Sequence, residues 1–193
     1  MAILFFWSAK KEFLDYPKSG SNIIAFGDSL VEGTGASSAG NNFVSVLARR
    51  LNINIINAGV GGDTTFQALE RLERDILSRD PKIVIILLGG NDAIRRMPVD
   101  ETFKNLSEII DRAHAKGAGI ILLGVRGGIF GDKYKNEFAA LAKEKRVSFV
   151  PNVLDDIFGD PKMLYDTIHP NDAGYALIAD RVEPILRKLL GGQ

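Results

Sequence analysis

Five short runs of β-branched and other apolar residues most constrain how this chain can fold. They are Asn22–Phe26, Ile53–Asn57, Lys82–Leu88, Ala118–Leu123 and Arg146–Val150. The third reads KIVIILL, with no polar residue after its first. A strand with one wet face alternates apolar and polar residues, whereas an unbroken apolar run marks a strand buried on both faces. Between the runs the period changes to that of a helix. Phe43, Val46, Leu47 and Leu51 share one face, as do Phe66, Leu69, Leu72 and Ile76. Phe103, Leu106, Ile109, Ile110 and Ala113 make a third stripe, and Tyr134, Phe138 and Leu141 a fourth. The fifth holds Leu177, Ile178, Val182, Ile185, Leu186 and Leu189. Asp100 is a start signal for the third helix and Lys116-Gly117 a stop. Pro184 should kink or shorten the fifth.

This alternation predicts an α/β fold: a doubly wound parallel sheet of five strands in the order 2-1-3-4-5, with helices on both faces. A chain of 193 residues suits one such domain, here 21–193. Residues 1–20 stand apart as an N-terminal arm. Ile3 to Trp7 is apolar and is followed by Lys10 and Lys11, but the run is far below the roughly 20 residues of a membrane helix. It also lacks the features of a signal peptide. One expectation is an apolar arm or strand packed on the domain. The other is the tail of an anchor or signal segment that continues upstream, which favours the cell envelope or secretion and leaves the arm as the only route to membrane contact.

Composition removes several chemistries. The 24 basic residues balance 24 acidic ones, so the broad basic footprint of a nucleic-acid binder is missing. With no cysteine there is no thiolate nucleophile and no Cys-ligated metal. Two histidines leave room for one His-based site.

In open α/β sheets, ligands sit outside the carboxyl ends of the strands. Those ends carry Gly27-Asp28-Ser29-Leu30, Gly59-Val60-Gly61-Gly62-Asp63-Thr64, Gly89-Gly90-Asn91-Asp92, Gly124-Val125-Arg126-Gly127-Gly128 and, further on, Asp166-Thr167-Ile168-His169-Pro170. Nucleophilic acyl transfer needs such parts. A serine hydroxyl must lose its proton to a base, and imidazole titrates near neutrality. A carboxylate must hold the imidazole tautomer, and Asp166 stands three residues before His169. The oxyanion needs donors, for which the Ser29 N–H, the Gly62 N–H and the Asn91 amide are candidates.

Together, Gly27-Asp28-Ser29-Leu30, Gly62, Gly90-Asn91-Asp92 and Asp166-x-x-His169-Pro170 resemble the four sequence blocks of the GDSL, or SGNH, hydrolase family. They stand in the family's order from about Ile23 onward. Asn57–Thr64 and Gly89–Asp92 are similar to the bacterial thioesterase I, lysophospholipase and arylesterase branch in particular. The resemblance implies a flavodoxin-like three-layer α/β/α fold and no metal or cofactor. It implies Ser29 as nucleophile, His169 as base, Asp166 as its orienting carboxylate, and Ser29, Gly62 and Asn91 as the oxyanion hole. The partner it implies is a small-molecule or lipid ester.

Each residue also has an ordinary structural reading. Ser29 and Asn91 could cap helices, Gly62 could be a turn glycine, and Asp63-Thr64 should cap the second helix. Asp28 and Asp92 read as loop-holding carboxylates. His114, late in the third helix, reads as structural. Among rival functions, a metal-dependent phosphoesterase would use Asp28, Asp63, Asp92, Asp166 and His169. A binding module without catalysis would want a phosphate loop or dinucleotide fingerprint, and the turn after the first run has neither. Carbohydrate O-deacetylation is the alternative within the family. For the acyl group, Ile129 and Phe130 in the glycine-rich stretch Gly124–Gly131 are candidate wall residues, and Arg126 is either a loop-fixing ion pair or a substrate contact.

Overall fold

The computed structural model describes residues 14–125 and 131–191. Its five strands are β1 (Asn22–Gly27), β2 (Ile55–Gly59), β3 (Pro81–Leu87), β4 (Gly119–Leu123) and β5 (Ser148–Val150). All strand pairings are parallel, and the sheet order is β2-β1-β3-β4-β5, the order expected. The second strand begins two residues later than its apolar run, and Gly59 rather than Asn57 pairs last, with Gly27. The apolar run there overlapped a polar strand end that only pairing with β1 completes.

The helices are α1 (Ser29–Glu32), α2 (Phe43–Leu51), α3 (Thr65–Asp75), α4 (Gly90–Ile94), α5 (Val99–Ala115), α6 (Gly131–Lys145) and α7 (Asp172–Gly191). Helix α2 packs on α7, while α3, α5 and α6 pack in succession. Right-handed crossovers in a 2-1-3-4-5 sheet divide the helices between its faces in this way. The core is the sheet's own residues, Ile24, Phe26, Ile83 to Ile86 and Ile120 to Leu123, with Leu47, Leu72, Ile109, Phe138, Tyr175 and Leu186 closing over them. Phe103 meets Tyr134 and Phe138 edge to face, locking α5 to α6.

Three details differ from expectation. Helix α5 starts one residue before Asp100, at Val99, with no side-chain cap, so Asp100 and Glu101 act only through the helix dipole. Helix α7 is one element despite Pro184: a proline removes one intrahelical donor, and Val182, Ile185, Leu186 and Leu189 stay buried on either side of it. On α3 the buried stripe is Thr65, Ala68, Arg71, Leu72 and Asp75, and Phe66 faces solvent. The face is turned because Arg71 and Asp75 hold an ion pair on the inner side.

Residues 14–20 run along the amino-terminal edge of the sheet. The Lys18 N–H donates to the Gly117 carbonyl, Asp15 accepts from the Ile120 N–H, and Asp15 lies 2.7 Å from His114 Nε2. His114 is therefore the structural histidine of the pair. No helix among the described residues is long and apolar enough to cross a membrane.

Candidate active site

All five strands point the same way, so the turns after β1, β2 and β3 and the loop before α7 converge on one edge. At the end of β1, the backbone turns into α1 at Asp28, whose Oδ1 accepts the Leu30 N–H at 3.0 Å. The Asp28 carbonyl accepts from Val31 and Glu32 at 3.1 and 2.9 Å. Ser29 thus opens a helix immediately after a strand, half-buried. A Cβ at Gly59 would strike the α1 backbone at Val31 and Glu32, which is why glycine ends β2 beside this turn.

The loop before α7 is pinned by a bridge between Leu164 and Pro170. Its backbone closes further through Tyr165 N–H to His169 O at 2.8 Å and Asn171 N–H to Met163 O at 2.9 Å. Within it, Asp166 Oδ1 accepts the N–H groups of Ile168 and His169 at 2.8 and 2.7 Å. Its Oδ2 lies 2.8 Å from His169 Nδ1. The His169 backbone N–H foremost, with the ring and the Ile168 N–H behind it, holds the Asp166 carboxyl down at about 2. An ionised carboxylate only accepts, so Nδ1 carries the proton and Nε2 is left with its lone pair. That Nε2 lies 3.1 Å from Ser29 Oγ. Ser29, His169 and Asp166, 140 and 3 residues apart in sequence, form one hydrogen-bonded series.

Asn91 enters from α4. Its Nδ2 donates to the Asp63 carbonyl at 2.9 Å and lies 3.4 Å from Asp28 Oδ2. Gly62 has φ +80, a left-handed conformation that glycine takes without penalty. Its carbonyl accepts from Arg95 Nη2 at 2.8 Å. Among the described residues, neither the Ser29 N–H nor the Gly62 N–H has a hydrogen-bond acceptor. Of the three expected oxyanion donors, Ser29 and Asn91 line the pocket that holds Ser29 and His169.

The other acidic residues have protein partners. Thr64, not Asp63, caps α3, in a capping box with Gln67. Asp63 instead pairs with Arg71, its Oδ2 2.6 Å from Nε. Asp92 is fully buried and accepts the Thr65 hydroxyl at 2.6 Å and the Thr65 N–H at 3.0 Å. No group of three or more His, Asp or Glu is placed to hold a metal ion among the described residues.

Arg71 was not foreseen as a site residue. Its Nη1 donates to the Ala58 carbonyl and its Nη2 to the Gly27 carbonyl, both at 2.9 Å. The guanidinium stacks 4.5 Å over the Phe26 ring. The signal was present: Ala68, Arg71, Leu72 and Asp75 stand at the i, i+3, i+4, i+7 spacing of one helix face.

A pocket of about 80 Å³ opens beside Ser29 and His169. Leu87, Val125, Ile94, Leu154, Phe158 and Ile168 supply its apolar lining. Leu154 and Phe158 come from the segment after β5, where Val153, Leu154, Ile157 and Phe158 repeat at helical spacing, a cue available in the sequence. Arg126, Ile129 and Phe130 lie outside the described residues.

An open parallel sheet that brings a serine, an imidazole and a carboxylate into line at its carboxyl edge is the architecture of an SGNH-type serine hydrolase. The chain belongs to the GDSL-like lipase/acylhydrolase family, which it matches over residues 25–177. It is 30% identical to esterase TesA of Pseudomonas aeruginosa over 179 residues, covering 87% of this chain and 89% of that protein. It is 32% identical to thioesterase 1/protease 1/lysophospholipase L1 of Escherichia coli over 143 residues, covering 71% of this chain and 69% of that one. Among solved structures, that of TesA superposes with a TM-score of 0.82 at 29% identity, covering 88% of this chain and 99% of the other.

Proposed function

We propose that the chain hydrolyses carboxylic esters or thioesters of short to medium acyl chains through an acyl-enzyme on Ser29. The observation that carries this reading is the continuous Ser29–His169–Asp166 series, with contacts of 3.1 and 2.8 Å. Ser29 Oγ attacks the carbonyl carbon while its proton passes to His169 Nε2. The carbonyl oxygen takes the negative charge, facing the N–H groups of Ser29 and Gly62 and the Asn91 amide. Collapse expels the alcohol or thiol, which leaves with the proton from His169. Water, deprotonated by His169 in turn, then releases the carboxylic acid and restores Ser29. The apolar pocket beside Ser29 supports an acyl group as the buried half of the substrate. TesA and the thioesterase 1 relative carry esterase and thioesterase in their names, and this chain shares the chemistry.

A fluorophosphonate probe tests the nucleophile without assuming a substrate. The wild-type protein should be labelled, and Ser29→Ala should not be, while losing at least about a thousandfold in kcat with its fold intact. Near wild-type turnover of Ser29→Ala ends the reading. A p-nitrophenyl ester series sets the acyl length: activity that extends to chains longer than acetyl fits the apolar lining, and activity confined to acetyl points to carbohydrate O-deacetylation. Activity retained in excess EDTA separates both from a metal-dependent phosphoesterase.

A further inference from the structure

The Ser29–His169 contact joins segments 140 residues apart, so something must hold those segments at hydrogen-bond distance. The Ser29 carbonyl accepts the Gly33 and Thr34 N–H groups at 2.9 and 3.0 Å, which ties the start of the loop between α1 and α2 to the nucleophile. The loop that carries His169 is closed by its own backbone and runs directly into α7. Among the described residues, the hydrogen bonds that cross between 28–42 and 162–175, apart from Ser29–His169 itself, come from Asp172 and Tyr175 in the first turn of α7. Tyr175 is fully buried, and its hydroxyl donates to the Thr34 carbonyl at 2.7 Å. Asp172 Oδ1 accepts the Ser37 N–H at 2.8 Å, and its Oδ2 accepts the Ser37 hydroxyl at 2.6 Å and the Asn41 amide at 2.9 Å. Between these two points the loop lies against the base. A Cβ at Gly35, where φ is +93, would stand 2.6 Å from the Pro170 carbonyl and 3.2 Å from His169 Cβ.

Ordinary structural roles leave these groups unexplained. Asn171 already caps α7, its Oδ1 accepting the Ala173 and Gly174 N–H groups at 2.9 and 3.2 Å, so the helix start does not call for Asp172. Core packing calls for the Tyr175 ring but not for its hydroxyl. We propose that Asp172 and Tyr175 are positioning residues of the esterase: from α7 they clamp the loop that follows the nucleophile and so set the distance between Ser29 Oγ and His169 Nε2. The proposal rests on the esterase reading above, in which that distance governs proton transfer. A misplacement of about 1 Å costs on the order of a hundredfold in rate. The His169–Asp166 pair is closed within its own loop, so the clamp acts on the Ser29–His169 contact alone.

The test uses Asp172→Ala and Tyr175→Phe in the full chain, with p-nitrophenyl acetate as substrate. Tyr175→Phe keeps the buried ring and removes only the bond to Thr34. Asp172→Ala should lower kcat at least about tenfold and Tyr175→Phe at least about threefold, each with KM changed by less than about threefold. Asp172→Asn keeps an acceptor oxygen and should lose less than Asp172→Ala. The rate of fluorophosphonate labelling at Ser29 should fall in step with kcat, since it needs the same base. A purely structural role would lower the melting temperature and leave the kcat of the folded protein where it was. A smaller kcat loss in either variant, or a loss carried by KM, overturns the proposal. Should Asp172→Ala not fold, Tyr175→Phe decides on the same terms. A wild-type protein that is not labelled at Ser29 fails the esterase reading itself. A labelled one whose variants turn over normally fails only this inference.

Discussion

Asp166 stays charged down to about pH 2, because backbone N–H groups and the imidazole all donate to it. A depressed carboxyl contributes stability above the ordinary carboxylate range and loses it as pH falls toward 2. Its titration therefore lies well below any pH at which turnover would be measured. The loss of activity on acidification belongs instead to the base that takes the Ser29 proton. His169 Nε2 must be free to take the Ser29 proton, so kcat/KM should fall on acidification. Initial rates from pH 4 to 9 check this, and a flat profile between pH 5 and 8 would remove His169 as the base. Asp166 was legible because its spacing to His169 is local. Asp172 and Tyr175 were not, since their contacts to Ser37 and Thr34 span 135 and 141 residues.

At the scale of elements, α3 does more than cover the sheet. From its buried face Arg71 reaches the Gly27 carbonyl that ends β1, the Ala58 carbonyl one residue before the end of β2 and the Asp63 carboxylate, and Asp63 in turn offers its carbonyl to Asn91. The helix thereby sets the spacing between the Ser29 turn and the Gly62 turn. Replacing Arg71 by Met leaves the Asp63 carboxylate without its charged partner and takes one donor each from the Ala58 and Gly27 carbonyls, of which Gly27 keeps the Val60 N–H. The expected loss is about 3–5 kcal/mol of stability, read from urea or thermal unfolding. Strands and long helices were legible from periodicity, because two-sided burial and 3.6-residue stripes leave a record in the apolar pattern. The helices α1 and α4, of 4 and 5 residues, were not, since neither completes two turns.

Across the whole molecule the chain's two histidines sit at opposite ends of the sheet. His169 faces Ser29 at the carboxyl edge, while His114 holds Asp15 at the amino edge beside residues 14–20. His114→Ala should leave kcat/KM unchanged and lower stability by about 0.5–1.5 kcal/mol, the worth of one hydrogen bond. A matching loss of activity would mean that the two ends are coupled. The catalytic edge is thus separate from the edge at which the N-terminal segment joins the domain.

By itself the sequence determined the layer architecture, the strand order and the residues of the Ser29, His169 and Asp166 series. The architecture follows from burial patterns, and the series from the Ser29 turn after β1, the local Asp166–His169 pair and the resemblance of these blocks to those of the family. Only the tertiary structure decided the packing around that series: the hold of Asp172 and Tyr175 on the loop after α1, the reach of Arg71, and the pocket wall built from Ile94, Leu154, Phe158 and Ile168. Each of these is a contact between segments far apart in sequence. Local pattern records which side chains are buried, but not which distant partner shares the burial; that depends on how parallel strands and their crossovers stack, a geometry set by the fold as a whole.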